Sequence, residues 1–256
     1  MCEVRLENEV VVITGAGNGI GAAMARNFAE RGAKLVLGDV DAEGVRAVAG
    51  EVGGLAVPGD AASEAGVAGL VEAAMGEHGR VDVYCANAGI TGGSGCDEGA
   101  WADTWEINVM AHVRAARALL PHWVERGRGH FLATASAAGL LTMLQAAPYS
   151  VTKHAAVAHA EWLAITYRDK GITAQALCPQ GVRTNMLASS GDAGKALLGP
   201  EAIDPEQVAE LVAGKLGGEE FLILPHPEVA DYYALRAAHP EKWQAGMRKL
   251  QRKIEQ

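Results

Sequence analysis

Glu9-Val10-Val11-Val12-Ile13-Thr14-Gly15-Ala16-Gly17-Asn18-Gly19-Ile20-Gly21 is the stretch whose reading decides the fold. Its first half is apolar and β-branched, the pattern of a buried strand. Its second half is a glycine turn. Beyond the turn Ile20, Met24 and Phe28 recur at a spacing of four, which marks one face of a helix, and Gly32 stops that helix. Strand, glycine turn and helix N-terminus together make an anion site. The glycines let the backbone approach a pyrophosphate, and the helix dipole favours its negative charge. A nucleoside-triphosphate loop is excluded, because that motif ends in Gly-Lys-Ser/Thr and Gly21 is followed by Ala22 and Ala23.

Outward from the turn, a second strand, Lys34-Leu35-Val36-Leu37-Gly38, ends in Asp39. A carboxylate at that distance can accept hydrogen bonds from an adenosine ribose. It also repels a 2′-phosphate, so NAD is expected rather than NADP. Asn18, where a basic residue could clamp that phosphate, is neutral, and Asp41 competes with Asp39 for the ribose role. With strands at 9–14 and 34–39, further strands are expected at 54–58, 81–86, 130–135, 172–178 and 221–225, with helices between. Such alternation describes an α/β chain, a doubly wound parallel sheet flanked by helices with right-handed crossovers. No linker interrupts it, so residues 1–256 are expected to form one Rossmann-type domain. Its cofactor should lie at the C-terminal strand ends, at the switch point after the first and fourth strands. A stretch at about 184–203 reads as a substrate lid, and about 227–256 as a helical extension.

A second segment carries the chemistry: Ser136, then Tyr149-Ser150-Val151-Thr152-Lys153. On a helix, residues 149 and 153 stand one above the other. A phenol is a poor base at neutral pH, but a nearby positive charge favours the phenolate. Lowering its pKa by about three units takes roughly 4 kcal/mol, which one lysine plus a cationic cofactor in a dry site could supply.

These segments resemble the short-chain dehydrogenases/reductases. Thr14 through Gly21 is similar to that family's cofactor loop, which sets Gly15, Gly17, Asn18, Gly19, Ile20 and Gly21 against the dinucleotide. The resemblance implies that Asp60 and Ala61 lie beside the adenine, and that Asn87, Ala88 and Gly89 close the fourth strand. It makes Ser136, Tyr149, Lys153 and Asn108 the catalytic set, with Tyr149 as general acid/base. Ser136 would orient the substrate oxygen. Lys153 would hold the nicotinamide ribose and stabilise the phenolate, and Asn108 would hold a water that links the lysine to solvent. Pro179, Val182 and Thr184 fall where the family holds the nicotinamide carboxamide. Two features depart from the pattern. Gln180 follows Pro179 where the family has glycine, and the C-terminal third lacks the family's usual Val-Asp-Gly-Gly ending.

Together these readings imply an NAD-dependent dehydrogenase or reductase acting on a small-molecule secondary alcohol or ketone. The pocket wall is expected from 137–148 and 184–203, with Leu140, Leu141, Met143 and Leu144 apolar and Gln145 as a polar handle. An NAD-binding regulatory protein without turnover is the alternative, although it would not need the whole Ser, Tyr, Lys and Asn set. A methyltransferase would leave Tyr149 and Lys153 without a task. The net charge of −9, from 22 basic against 31 acidic residues, argues against a nucleic-acid partner. Basic residues Arg248, Lys249, Arg252 and Lys253 are read as the solvated face of a helix whose packing stripe is Trp243, Met247, Leu250 and Ile254. No apolar run approaches 18 residues and the N-terminus lacks a leader pattern, so a cytoplasmic protein without a membrane span is expected. Cysteines 2, 85, 96 and 178 show no metal-ligand spacing, so they are read as reduced thiols and no metal is assigned. The resemblance implies that the long helices at about 99–126 and 148–170 pair between subunits, as they do in relatives, giving a homodimer or homotetramer.

Overall fold

The computed structural model describes residues 6–93 and 96–255. Cys2 and the rest of the charged N-terminal segment 1–5 lie outside the described residues. Seven parallel strands form one sheet in the order β3-β2-β1-β4-β5-β6-β7. They are β1 (Val10–Thr14), β2 (Lys34–Asp39), β3 (Leu55–Pro58), β4 (Val83–Ala86), β5 (Gly129–Thr134), β6 (Ile172–Leu177) and β7 (Leu222–Ile223). Each lies within two residues of its expected span. Residues of β1 alternate between two cores, as a strand covered on both faces must. Val10 and Val12 join Tyr84, Phe131 and Trp123 on one side, and Val11 and Ile13 join Met24, Phe28 and Leu37 on the other. Val10, Val11, Val12 and Ile13 are fully buried, which stabilises the fold by about 1.5–3 kcal/mol for each.

Helices α1 (Gly19–Glu30), α2 (Ala42–Val52) and α3 (Glu64–His78) follow the first three strands. The helix expected at 99–126 is divided. It comprises α4 (Glu98–Trp105), a π-helical turn at Glu106–Met110, and α5 (Ala111–Arg126). After β5 come the short α6 (Ala138–Leu141) and the long α7 (Ala147–Tyr167), which carries Tyr149 and Lys153. The expected lid is folded as α8 (Asn185–Ala188) and α9 (Gly191–Leu198), and α10 (Pro205–Lys215) packs on α1. The helical C-terminus is present but is two helices, α11 (Glu228–Ala238) and α12 (Pro240–Ile254). His239 is extended (φ −140°, ψ 67°) because the following proline disfavours the helical region, while Pro240 itself suits a first helical position.

Candidate active site

Strand order reverses between β1 and β4, and the C-terminal ends there open onto a cavity of about 650 Å³. Gly15, Asn18, Gly19, Ile20, Asp39, Asp60, Ala61, Asn87, Ala88 and Gly89 line one end. Ser136, Tyr149, Lys153, Pro179, Val182 and Thr184 line the rest. Three of the sequence-expected residues, Gly17, Gly21 and Asn108, sit outside this lining.

The glycine turn is shaped by close backbone approach. Gly15 has φ +64°, and a Cβ there would stand 2.9 Å from the Ala88 Cα. At Gly21 a Cβ would collide with the Gly15 carbonyl oxygen, so only glycine lets α1 start so tightly under β1. Gly17 N–H donates to Asp39 Oδ2 at 2.8 Å, and Asp41 N–H donates to Asp39 Oδ1 at 2.9 Å. Asp39 therefore ties the turn to β2 with its carboxylate at the cavity edge. Asp41, its competitor, instead caps α2 by accepting from Gly44 N–H. Thr14, not singled out from the sequence, is buried and accepts from Asn87 N–H (2.9 Å) and Ala88 N–H (3.0 Å), joining β1 to the segment after β4.

Asn108 is fully buried in the π-helical turn, a local widening that often accompanies functional sites. Its amide donates to Ile90 O (2.9 Å) and Thr152 Oγ1 (3.0 Å), and its Oδ1 accepts from Ile90 N–H (3.0 Å). It thereby clamps the loop after β4 to α7, one residue before Lys153. Lys153 Nζ donates to Thr134 O at 2.8 Å and lies 5.6 Å from the centroid of the Tyr149 ring. Ser136 Oγ accepts from Ala138 N–H (3.1 Å).

In the protein without a cofactor, burial sets the electrostatics of the pair. Burial raises the Tyr149 phenol above its ordinary 10.0, and the Ser136 hydroxyl only partly offsets this. Burial also draws the Lys153 ammonium from 10.5 down to about 8. Desolvation is the largest cause for both groups. In the protein alone at neutral pH, Tyr149 is a phenol and Lys153 an ammonium.

The apolar wall also differs in part. Leu141, Met143 and Leu144 line the cavity, whereas Leu140 is buried in the sheet core and Gln145 is exposed. Trp243, Met247 and Leu250 of α12 line it too, with Tyr232 of α11. The sequence shows their stripe as a packing face, and periodicity alone cannot say that the face meets a cavity rather than a core.

The residues present fit a nicotinamide dinucleotide. Asn18 at the start of α1 makes no side-chain cap, and Gly19 and Ile20 of the first turn line the cavity, where a helix N-terminus suits a diphosphate. Asp39 supplies an acceptor pair where a ribose would lie. Among the described residues no group of three or more His, Cys, Asp or Glu could hold a metal. A Rossmann sheet with this turn at its switch point, and a Ser, Tyr, Lys cluster in the same cavity, defines a dinucleotide-dependent oxidoreductase.

The chain belongs to the short chain dehydrogenase family, whose model matches residues 9–194. It is 33% identical over 238 residues to 1-deoxy-11-beta-hydroxypentalenate dehydrogenase of Streptomyces exfoliatus, covering 88% of this chain and 86% of that one. A short chain dehydrogenase/reductase from Burkholderia phymatum, solved in complex with NAD, superposes with a TM-score of 0.85 at 29% identity, covering 94% of this chain and 96% of the other. A point variant of actinorhodin polyketide ketoreductase, solved with NADPH, has a TM-score of 0.80 at 28% identity, covering 88% and 98%. The activity these matches support is nicotinamide-dependent oxidoreduction of an alcohol or ketone.

Proposed function

We propose that this protein is an NAD-dependent dehydrogenase/reductase interconverting a secondary alcohol and its ketone, with Tyr149 as general acid/base. The observation that carries it is one cavity bounded by Tyr149, Ser136 and Lys153 and, at its other end, by Asp39. Asp39 supports NAD over NADP, because a 2′-phosphate beside a nearly buried carboxylate (8% exposed) meets like-charge repulsion with little water to screen it. Of the two solved relatives named above, one holds NAD and the other NADPH, so this preference rests on the carboxylate.

When bound, the nicotinamide takes up a hydride in oxidation and gives one in reduction. The chain's own part is to move the matching proton. Ser136 Oγ–H and Tyr149 Oη–H converge on a substrate oxygen, fixing its position. In reduction Tyr149 starts as the phenol that burial favours, and hands its proton to the carbonyl oxygen as negative charge develops there. Lys153, held on Thr134 O, stabilises the phenolate left behind. In oxidation the same proton returns, so the oxidative rate rises with pH. Asn108 and Thr152 act as positioning residues that hold α7 against the loop after β4. We infer a cytoplasmic protein that assembles as a homodimer or homotetramer. Among the described residues no helix is long and apolar enough to cross a membrane.

Tyr149→Phe tests the reading. It is expected to lower kcat for alcohol oxidation with NAD⁺ by at least about 10³ while NADH binding, read by fluorescence, survives. Activity within about tenfold of wild type overturns the assignment. NADH binding without turnover of any alcohol by the wild type is what the regulatory alternative requires.

A further inference from the structure

The two departures from the family pattern touch each other. Gln180 N–H donates to His226 Nδ1 (3.2 Å), and Gln180 Nε2 donates to Glu228 Oε1 (2.7 Å) at the start of α11. Further along α11, Arg236 donates to the Leu140 carbonyl of α6 and contacts His154 Nε2 (2.9 Å) on α7. His154 Nδ1 lies 2.8 Å from Ser150 O, so it carries the hydrogen and leaves Nε2 as an acceptor for Arg236. Both ends of α11 are thus fastened to segments that bear Pro179, Tyr149 and Lys153.

Helix α12 hangs from this anchored helix at Pro240. It has 15 residues and none of them is fully buried. A helix of that length is marginal in water unless its apolar face is covered. Trp243, Met247 and Leu250 form that face; Trp243 leans on Tyr232 at 6.4 Å, and all three look into the cavity that holds Tyr149 and Ser136. Leu141, Met143, Met186 and Leu187 line the same cavity. The only Asp, Glu, Lys or Arg residues among the described lining are Asp39, Asp60 and Lys153, which belong to the cofactor and catalytic ends.

We propose that α12 is the substrate-selecting roof of the active site, and that its stripe is completed by a neutral, extended apolar secondary alcohol or ketone. The proposal rests on the function proposed above. The apolar skeleton runs from Tyr149 towards Trp243 and Met247, and no cation waits there for a carboxylate. Trp243, Met247 and Leu250 set specificity by contact with this skeleton. Gln180 and Arg236 are positioning residues that hold the roof in place.

The test is a homologous series of 2-alkanols from 2-butanol to 2-decanol, oxidised with NAD⁺ by wild type, Trp243→Ala and Leu250→Arg. Wild-type kcat/KM should climb about threefold to fourfold for each added methylene until the cavity is full. The ratio of kcat/KM for 2-decanol to that for 2-butanol should fall at least about tenfold in either variant, as expected for losing the equivalent of two or more buried methylenes. Equal loss along the series, or an unchanged ratio, overturns the roof. So does a change in molecular mass of Trp243→Ala, since the stripe would then be covered by a second copy of the chain. A binding readout separates this idea from the catalytic one. Titrating 2-decanol into the protein with NADH should change wild-type tryptophan emission and leave Trp243→Phe emission unmoved. That result supports the roof even if no alcohol is turned over, and a signal that persists in Trp243→Phe counts against it.

Discussion

Lys153 is buried with its Nζ on the Thr134 carbonyl, and that position has a thermodynamic consequence. The group titrates near 10.5 in the unfolded chain and at about 8 in the fold, so folding disfavours its charged form. Below pH 8 the full penalty applies, about 3 kcal/mol for the gap between those values. It is relieved as pH rises from 8 to 10.5, where the unfolded chain still binds the proton that the folded protein has released. Lys153→Met should therefore stabilise the cofactor-free protein at pH 7 by on the order of 2 kcal/mol, after about 1 kcal/mol is deducted for the lost hydrogen bond. Denaturant melts at pH 7 and pH 10 check this, and the advantage should shrink at the higher pH. A less stable variant at pH 7 would mean that the ammonium is better solvated than its burial implies. Asp39 works in the opposite sense, through a charge kept for a partner. Asp39→Asn keeps one acceptor oxygen for the turn and removes the repulsion of a 2′-phosphate. The preference for NAD over NADP, as a ratio of kcat/KM values, is expected to narrow by more than about tenfold, or 1.4 kcal/mol. Equal wild-type kcat/KM with the two cofactors would show that the carboxylate does not face the ribose.

At the scale of elements, what could be read from the chain depended on how local the cause was. Strands such as Val10–Thr14 and Lys34–Asp39 are short apolar, β-branched runs bounded by turn residues, so their positions follow from a few neighbours. Tyr149 and Lys153 were equally legible, because one helix fixes their relation. The π-helical turn at Glu106–Met110 was not, because it is held by Asn108 bonding to Ile90 and Thr152 from distant segments. The parts played by Thr14 and Thr134 were hidden for the same reason. The break at Pro240 was missed because a proline suits a first turn as readily as it ends a helix. The stripe of α12 was visible as an apolar face, but what it faces depends on where Gln180 and Arg236 hold α11. The raised pKa of Tyr149 in the protein without its cofactor comes from burial that no spacing encodes, whereas the lowering expected from charge placement counts on a cationic cofactor beside the phenol.

For the whole molecule, the outer face of α7 bears on assembly. Val151, Trp162 and Ile165 are 46%, 51% and 77% exposed on the same helix that buries Tyr149 and Lys153 on its inner side. Ala155 and Ala158 fill the positions between them, so the residues follow one another at steps of three and four along a single stripe. An apolar stripe with small residues at its middle is self-complementary when two copies meet antiparallel about a two-fold axis. Trp162 is held ready by His159, stacked at 6.3 Å, and by Tyr167, edge-on at 5.7 Å, so little side-chain freedom is lost on contact. Burying Val151, Trp162 and Ile165 from both copies gains about 10 kcal/mol gross, comparable with the cost of association, so one unpaired charge in the stripe should tip the balance. Ile165→Glu is predicted to reduce the assembly to a smaller species at micromolar concentration, measured by light scattering on a sizing column. Position 165 lies 16 residues beyond Tyr149 on a continuous helix, roughly 24 Å away, so NADH binding by the variant serves as the control for correct folding. A variant that binds NADH and keeps the wild-type mass would count against this contact. One that binds NADH as a smaller species would assign α7 two jobs, the chemistry on its inner face and assembly on its outer one.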